Sequence, residues 1–124
     1  MKRNFDLIRK LLIYLEEKPD DKIVNAKDLE IDDYDEKDVM YNFILMDQAG
    51  LIRCERQYSS STPDRVINVF PFSLTWDGHE FLELSRNETT WNNAKSIVLS
   101  KSGVLSLDVL KALLISMAKS SVGL

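Results

Sequence analysis

Apolar side chains recur every three or four positions near the start of the chain, between residues 2 and 18. This spacing places them along one face of a helix. They are Phe5, Ile8, Leu11, Leu12 and Leu15. Pro19 ends the pattern, because proline cannot donate the next helical hydrogen bond. The sequence therefore predicts an amphipathic helix over residues 2–18.

A second helical pattern spans residues 35–49. Asp35 suits the N-cap, and Gly50 suits the left-handed residue that follows a helix. The core-facing positions are Val39, Phe43 and Met46. Between the two helices we expect a short extended piece over 22–26 and an acidic linker. The apolar positions of this linker region are Ile23, Val24, Leu29 and Ile31, of which the last two are expected to anchor the linker to the core.

Two strand-like runs follow, at residues 51–58 and 65–74, separated by the polar turn 59–64. Pro71 restricts the second run to an edge strand or a late break, since proline donates no ladder hydrogen bond. A helix, a glycine, a strand, a polar turn and a second strand are typical of a wing that follows a recognition helix.

Three more helices are predicted after the wing. The first spans 76–86 behind Thr75, the second runs from residue 89 or 90 to 101, and Ser106 caps the last, which continues to about 119. The predicted fold class is therefore α+β and mainly helical. It is a winged helix-turn-helix-like single domain over 1–124, with a two-stranded wing, a core over 1–86 and additional C-terminal helices over 87–124.

The composition of the chain argues against several classes of protein: disulfide-linked, zinc-binding, membrane-spanning and secreted proteins. The 124 residues include one cysteine, Cys54, and one histidine, His79, which excludes internal disulfides and multi-cysteine zinc sites. No apolar run approaches the length of a membrane span, and no signal-peptide core is present, so we expect a cytoplasmic protein. His79 lies beside Asp77 and Glu80 in one helical turn, where such residues commonly serve as caps. We therefore expect no enzyme activity, no cofactor and no metal.

Three blocks of the sequence are distinctive: MKRNFDLIRKLL over 1–12, residues 41–52 ending QAGLI, and LTWDGHEFL over 74–82 followed by Trp91. Together they resemble a family of short bacterial and prophage proteins, the domain-of-unknown-function family numbered 2513. The resemblance implies a winged-helix fold and a phage or mobile-element setting, but no activity. Asn42 stands where the family is expected to have a histidine, so any role of that histidine is absent.

The distribution of charge opposes the usual function of a winged helix. Residues 19–38 contain nine acidic and three basic side chains, and the predicted recognition helix 35–49 contains four acidic and one basic. Phosphate binding needs cations at this surface, so the helix has the wrong sign for DNA. The alternative of a DNA-binding regulator rests on the wing and the N-terminus. Its candidate contacts are Lys2, Arg3, Arg53, Arg56 and Arg65, which as a plain structural interpretation form a solvated rim.

The side of helix 35–49 opposite the core favours a protein partner instead. Its residues include Met40, Tyr41, Ile44 and Gln48, and exposed apolar side chains of this kind are typical of protein-binding surfaces. The competing interpretation is that they pack under the C-terminal helices. For the acidic run 28–38 three interpretations stay open: a solvated linker, a cation site without the spacing of a calcium loop, or a surface that mimics nucleic acid.

The last helix is apolar nearly all round, and a small domain can rarely bury every face of such a helix. A two-fold dimer is one solution. The residues expected at its interface are Leu110, Leu113, Leu114 and Met117. The other solution is a monomer whose last helix packs between the first helix and the wing.

These observations favour a non-enzymatic binding protein of the phage or mobile-element type. Its expected partner is another protein, such as a host or defence protein that it modulates, or its own copy. The sequence identifies neither that partner nor the oligomeric state.

Overall fold

The computed structural model describes residues 1–124. Its elements, in chain order, are α1 (Phe5–Glu17), α2 (Glu36–Gln48), β1 (Ile52–Tyr58), β2 (Val66–Leu74), α3 (Trp76–Ser85), α4 (Glu88–Ser102) and α5 (Leu107–Ser121). The chain divides into two compact units, 1–79 and 80–124, with the boundary inside α3. None of the helices is long and apolar enough to cross a membrane.

In the first unit, α1 and α2 pack against each other and against β2. The five predicted stripe residues of α1 are all buried, and Leu7 joins them. The helix begins at Phe5 rather than at residue 2, because the side chain of Asn4 accepts a hydrogen bond from the Leu7 backbone N–H and caps the first turn. The three predicted core residues of α2 are also buried, so the helical periodicity located both core faces correctly.

The segment between α1 and α2 has no regular structure before Asn25, whose backbone is extended. Residues 22–26 form no strand, and Ile23 is exposed whereas Val24 is buried. The Val24 N–H donates to the carbonyl of Pro71 on β2 at 2.8 Å. Asn25 then caps a single 3₁₀ turn, Ala26–Asp28. The segment is therefore held by one backbone hydrogen bond to β2 and not by a ladder.

The wing is an antiparallel hairpin of β1 and β2. Strand β2 continues through Pro71, which lies opposite Cys54, and the register shifts between Arg53 and Cys54. Such an irregularity accommodates a residue that cannot donate to the ladder. The predicted restriction at Pro71 is thus met by a bulge within the hairpin.

A tight junction joins the end of α2, the start of β1 and the start of α3. Gly50 adopts a positive φ of 73°, as the sequence predicts. The hydroxyl of Thr75 donates to the Gly50 carbonyl at 2.6 Å, and its backbone N–H donates to the Leu51 carbonyl at 3.1 Å. The same hydroxyl accepts a hydrogen bond from the Gly78 N–H. Thr75 therefore caps α3 and ties that helix to the start of the wing.

The second unit contains the end of α3, α4 and α5. The rings of Phe81 and Trp91 meet edge to face at 6.0 Å. Asn87 and Ser106 cap α4 and α5, and Gly103 ends α4 with a left-handed φ. The architecture as a whole is α+β with a two-stranded antiparallel sheet, which is compatible with a winged-helix-like arrangement.

Candidate functional site

The predicted protein-binding face lies on the side of α2 away from its buried stripe. Gln48 is exposed, while Met40, Tyr41 and Ile44 are half-buried. At the start of the helix, Asp35 and Asp38 form a reciprocal capping box, in which each carboxylate accepts from the backbone N–H of the other residue. The two acidic residues thus serve to cap the helix. The protein-binding face that follows them along α2 is only partly covered by the rest of the chain.

An ion pair fastens the last turn of α2 to the wing. The guanidinium of Arg56 on β1 donates from Nε and Nη2 to the two carboxylate oxygens of Asp47, at 2.7 and 2.8 Å. Only 9% of the Asp47 side chain is exposed, whereas 47% of the Arg56 side chain is exposed. The hydrogen bonds from Arg56 hold the pKa of Asp47 below its ordinary value. A fork-to-fork pair of this kind also fixes the orientation of both side chains.

The other predicted DNA contacts either lie over aromatic rings or are exposed to solvent. The Arg53 guanidinium lies 5.5 Å from the centre of the Phe72 ring, and the Arg3 guanidinium lies 4.7 Å from that of Phe5. Lys2 and Arg65 are exposed. Of the three wing arginines, Arg56 is the one held in a bidentate ion pair with an acidic residue of α2.

Cys54 lies beside this ion pair. Its thiol is half-buried and lies close enough to the Asp47 carboxylate to be affected by its charge. Burial, followed by the negative charge of Asp47, raises the pKa of Cys54 to about 11. The positive charge of Arg56 acts in the opposite direction on this pKa, but burial and Asp47 outweigh it. A thiol with a raised pKa is a poor nucleophile at neutral pH.

Alkylation of Cys54 provides a test of this arrangement. We expect the rate of reaction with iodoacetamide to rise with pH to a midpoint near 11, because only the thiolate reacts. Asp47→Asn removes the negative charge, so the midpoint is expected to move down toward the ordinary cysteine value. Asp108→Asn, a matched change at an exposed carboxylate, should leave it unchanged. An unchanged midpoint in Asp47→Asn would show that Asp47 does not act on the thiol.

Asn42 forms a buried polar contact, although it is absent from the residues predicted for the core of α2. Its side chain is 1% exposed. The Oδ1 atom accepts from the Asn4 N–H at 2.9 Å, and Nδ2 donates to the carbonyls of Lys2 and Asp38, at 3.2 and 2.9 Å. Asn42 therefore ties the segment before α1 to α2. A sequence signal existed, since Asn42 falls three residues after Val39 on the core side of the helix.

The acidic run offers no cluster of ligands. No group of three or more His, Cys, Asp or Glu side chains is arranged to hold a metal ion. Asp33 adopts a left-handed φ of 72° in a turn closed by the Tyr34 N–H and the Ile31 carbonyl, at 3.1 Å. His79 is exposed, and its backbone N–H continues the α3 ladder to Thr75. These residues have local structural explanations.

Comparison with known proteins decides the family. Residues 2–104 match the family described as "Hypothetical protein (DUF2513)". The chain belongs to the DUF2513 family. An uncharacterised protein of Haemophilus influenzae is 40% identical over 111 residues, which cover 90% of each chain. No solved structure gives a significant match.

The blocks that carry the resemblance have clear places in this DUF2513 structure. Residues 1–12 supply the cap and most of α1, and residues 41–52 run from α2 into β1. Residues 74–82 contain Thr75 and Gly78, which meet the second block at the junction. At the departure from the expected histidine, Asn42 makes three hydrogen bonds within the first unit. Here this position has a structural role.

The burial of residues on helix α5 of this DUF2513 chain corrects the predicted dimer interface. Leu110 and Leu114 are fully buried within the chain, and Leu113 and Met117 are half-buried. Leu110 and Leu114 are therefore core residues and present no surface to a second copy. The prediction is wrong for these two because an apolar sequence all round the helix does not indicate which face the chain itself covers. Helix α5 also lies beyond the residues that match the family.

Proposed function

We propose that this DUF2513 chain is a non-enzymatic binding protein that contacts another protein through the outer face of α2. The proposed contact residues are Met40, Tyr41, Ile44 and Gln48. The observation that carries the proposal is the ion pair of Arg56 with Asp47. It engages the wing arginine that stands beside α2, so two of its donors are unavailable to a phosphate.

The remaining charge on α2 supports the same proposal. Asp35, Glu36 and Asp38 stand at the start of the helix, with Lys37 as the one cation of this turn. Because these carboxylates repel DNA phosphates, binding of α2 in a groove would be opposed at the end where a recognition helix makes its first contacts. A protein with an apolar patch bordered by basic side chains complements the surface. In the prophage setting that the resemblance implies, a host or defence protein modulated by this contact would be such a partner.

Affinity capture with matched variants tests the protein-binding proposal. The test variant is Tyr41→Asp with Ile44→Asp, and the control is Tyr14→Asp with Ile97→Asp, which makes the same changes at exposed positions of α1 and α4. We expect a partner retained by wild type and control to bind the test variant about 30-fold more weakly or worse, as for loss of a hot spot. The exposed Gln48→Arg, which leaves the core untouched, should also weaken the binding.

Circular dichroism and thermal unfolding establish that the test variant is folded, which the comparison requires. If every partner retained by the wild type is retained equally by the folded variants, the proposed face of α2 is not a binding surface.

Titration with random-sequence duplex DNA distinguishes the protein-binding proposal from the alternative of a DNA-binding regulator. We expect weak binding that changes little when Arg53, Arg56 and Arg65 are all replaced by alanine. Tight binding that falls steeply with salt and is abolished by these three replacements would favour the regulator instead. In that case the ion pair with Asp47 would have to open on DNA, and Asp47→Asn would strengthen the binding.

A further inference from the structure

One face of α5 remains open to solvent along its whole length. The α5 outer face is defined by Asp108, Val109, Ala112, Ile115, Ser116 and Lys119, which are all exposed. The exposed fractions of Val109 and Ile115 are 47% and 39%. Their spacing of three and four residues puts them on the side of the helix opposite Leu110 and Leu114. The apolar residues of α5 are thus divided between a covered face and an open one.

The two charges of the α5 outer face stand at its opposite ends. Asp108 lies in the first turn and Lys119 in the last. They are separated by about 16 Å along the helix axis, since each residue adds about 1.5 Å. This distance excludes an ion pair between them, and neither makes an ion pair elsewhere in the chain.

This order of charges makes the face complementary to itself in one orientation. When two copies of α5 lie antiparallel about a two-fold axis, the acidic end of each meets the basic end of the other. The same alignment sets Ala112 of one copy opposite Ile115 of the partner subunit. The small side chains of Ala112 and Ser116 permit the close approach of the two helices. A parallel alignment would instead bring like charges together at both ends.

We propose that the α5 outer face binds a second copy of this chain in an antiparallel, two-fold arrangement. In each of its two symmetric contacts, Asp108 pairs with Lys119 of the partner subunit. The α5 outer face shares no residue with the proposed α2 contact, so this proposal does not depend on the proposed function.

Charge reversal tests the arrangement directly. We expect Asp108→Lys alone, or Lys119→Asp alone, to raise the dissociation constant of the dimer about tenfold, since both contacts change from attraction to repulsion. The double variant Asp108→Lys with Lys119→Asp restores opposite charges and should return the constant close to that of the wild type. Sedimentation equilibrium measures it, with a dimer at twice the 14.3 kDa chain mass.

The double variant also distinguishes pairing from an effect on the helix itself. An acidic first turn and a basic last turn favour the helix dipole, so by that effect alone the double variant would be the worst of the three. Recovery of the dimer in the double variant therefore requires contact between copies. A double variant that stays folded and is as monomeric as the single ones would overturn the proposed alignment.

A second pair of variants covers the case in which charge reversal unfolds α5. Ala112→Arg places a long cation in the centre of the α5 outer face, and Ala118→Arg makes the same change at another exposed position about 120° round the helix. We expect Ala112→Arg to be monomeric and Ala118→Arg to dimerise. A wild-type chain that is monomeric at high micromolar concentration, or a dimer that tolerates Ala112→Arg, would overturn the proposal.

Discussion

Gly78→Ala is expected to lower the free energy of unfolding by about 3 kcal/mol, although alanine is the better helix former. A β-carbon at position 78 would overlap with the carbonyl oxygen of Leu51 and lie 3.0 Å from its carbonyl carbon. That oxygen also accepts the Thr75 N–H, so the backbone can move only by weakening the junction. The gain from helix propensity is about 1 kcal/mol, which the overlap outweighs.

Thermal unfolding measures this change, and we expect the midpoint to fall by about 10 °C. Gly103→Ala is the control, because a β-carbon there meets nothing within 4 Å. Its cost is confined to the left-handed φ of that residue, about 1 kcal/mol. If Gly78→Ala were as stable as the wild type, α3 would not lie this close to the backbone of Leu51.

Asn42→Ala is also expected to cost about 3 kcal/mol, because it removes three hydrogen bonds from a buried site. The Asn4 N–H and the carbonyls of Lys2 and Asp38 lose their partner there, and an unsatisfied buried polar group costs about 1–3 kcal/mol. The segment before α1 would then no longer be held to α2. We therefore also expect faster hydrogen exchange at the Asn4 amide.

Urea denaturation of three variants measures the contribution of the Asn42 hydrogen bonds to the free energy of unfolding. Asn42→Leu keeps most of the side-chain volume, so a similar loss in Asn42→Leu and Asn42→Ala assigns the cost to hydrogen bonding rather than to a cavity. Asn93→Ala makes the same change at an exposed position of α4 and should be neutral or slightly stabilising, since alanine favours the helix. A neutral Asn42→Leu would mean that the three hydrogen bonds contribute little.

The helices were predictable because their signals are local. The stripe of α1 and the caps Asp35, Thr75 and Ser106 depend on spacing within one element, and the periodicity of a helix is a property of the chain itself. The ends moved by a few residues where a side chain captured a backbone N–H, as Asn4 did at α1. The sequence contains no local signal for how residues 22–26 are held, because the Val24 N–H donates to the distant carbonyl of Pro71.

The candidate binding surfaces were less predictable, because the groups they expose depend on contacts between side chains of different elements. No spacing rule relates Asp47 on a helix to Arg56 on the following strand, yet their ion pair changes what the wing can offer to DNA. The pKa of Cys54 is raised first by burial and then by the negative charge of Asp47, which lies on another element. A count of charges treats Arg56 as a free cation, and only its position shows which carboxylate holds it.

A mainly helical chain with a two-stranded wing, and acidic residues that gather ahead of α2, follow from the amino-acid order, because periodicity, caps and charge are local properties of the chain. Which side of α5 is covered depends on tertiary packing. Leu110 and Val109 are neighbours of similar hydrophobicity, but the first is buried and the second is 47% exposed. Periodicity distinguishes the faces of a helix only when polar residues mark one of them, and in α5 the packing of the rest of the chain had to make that choice.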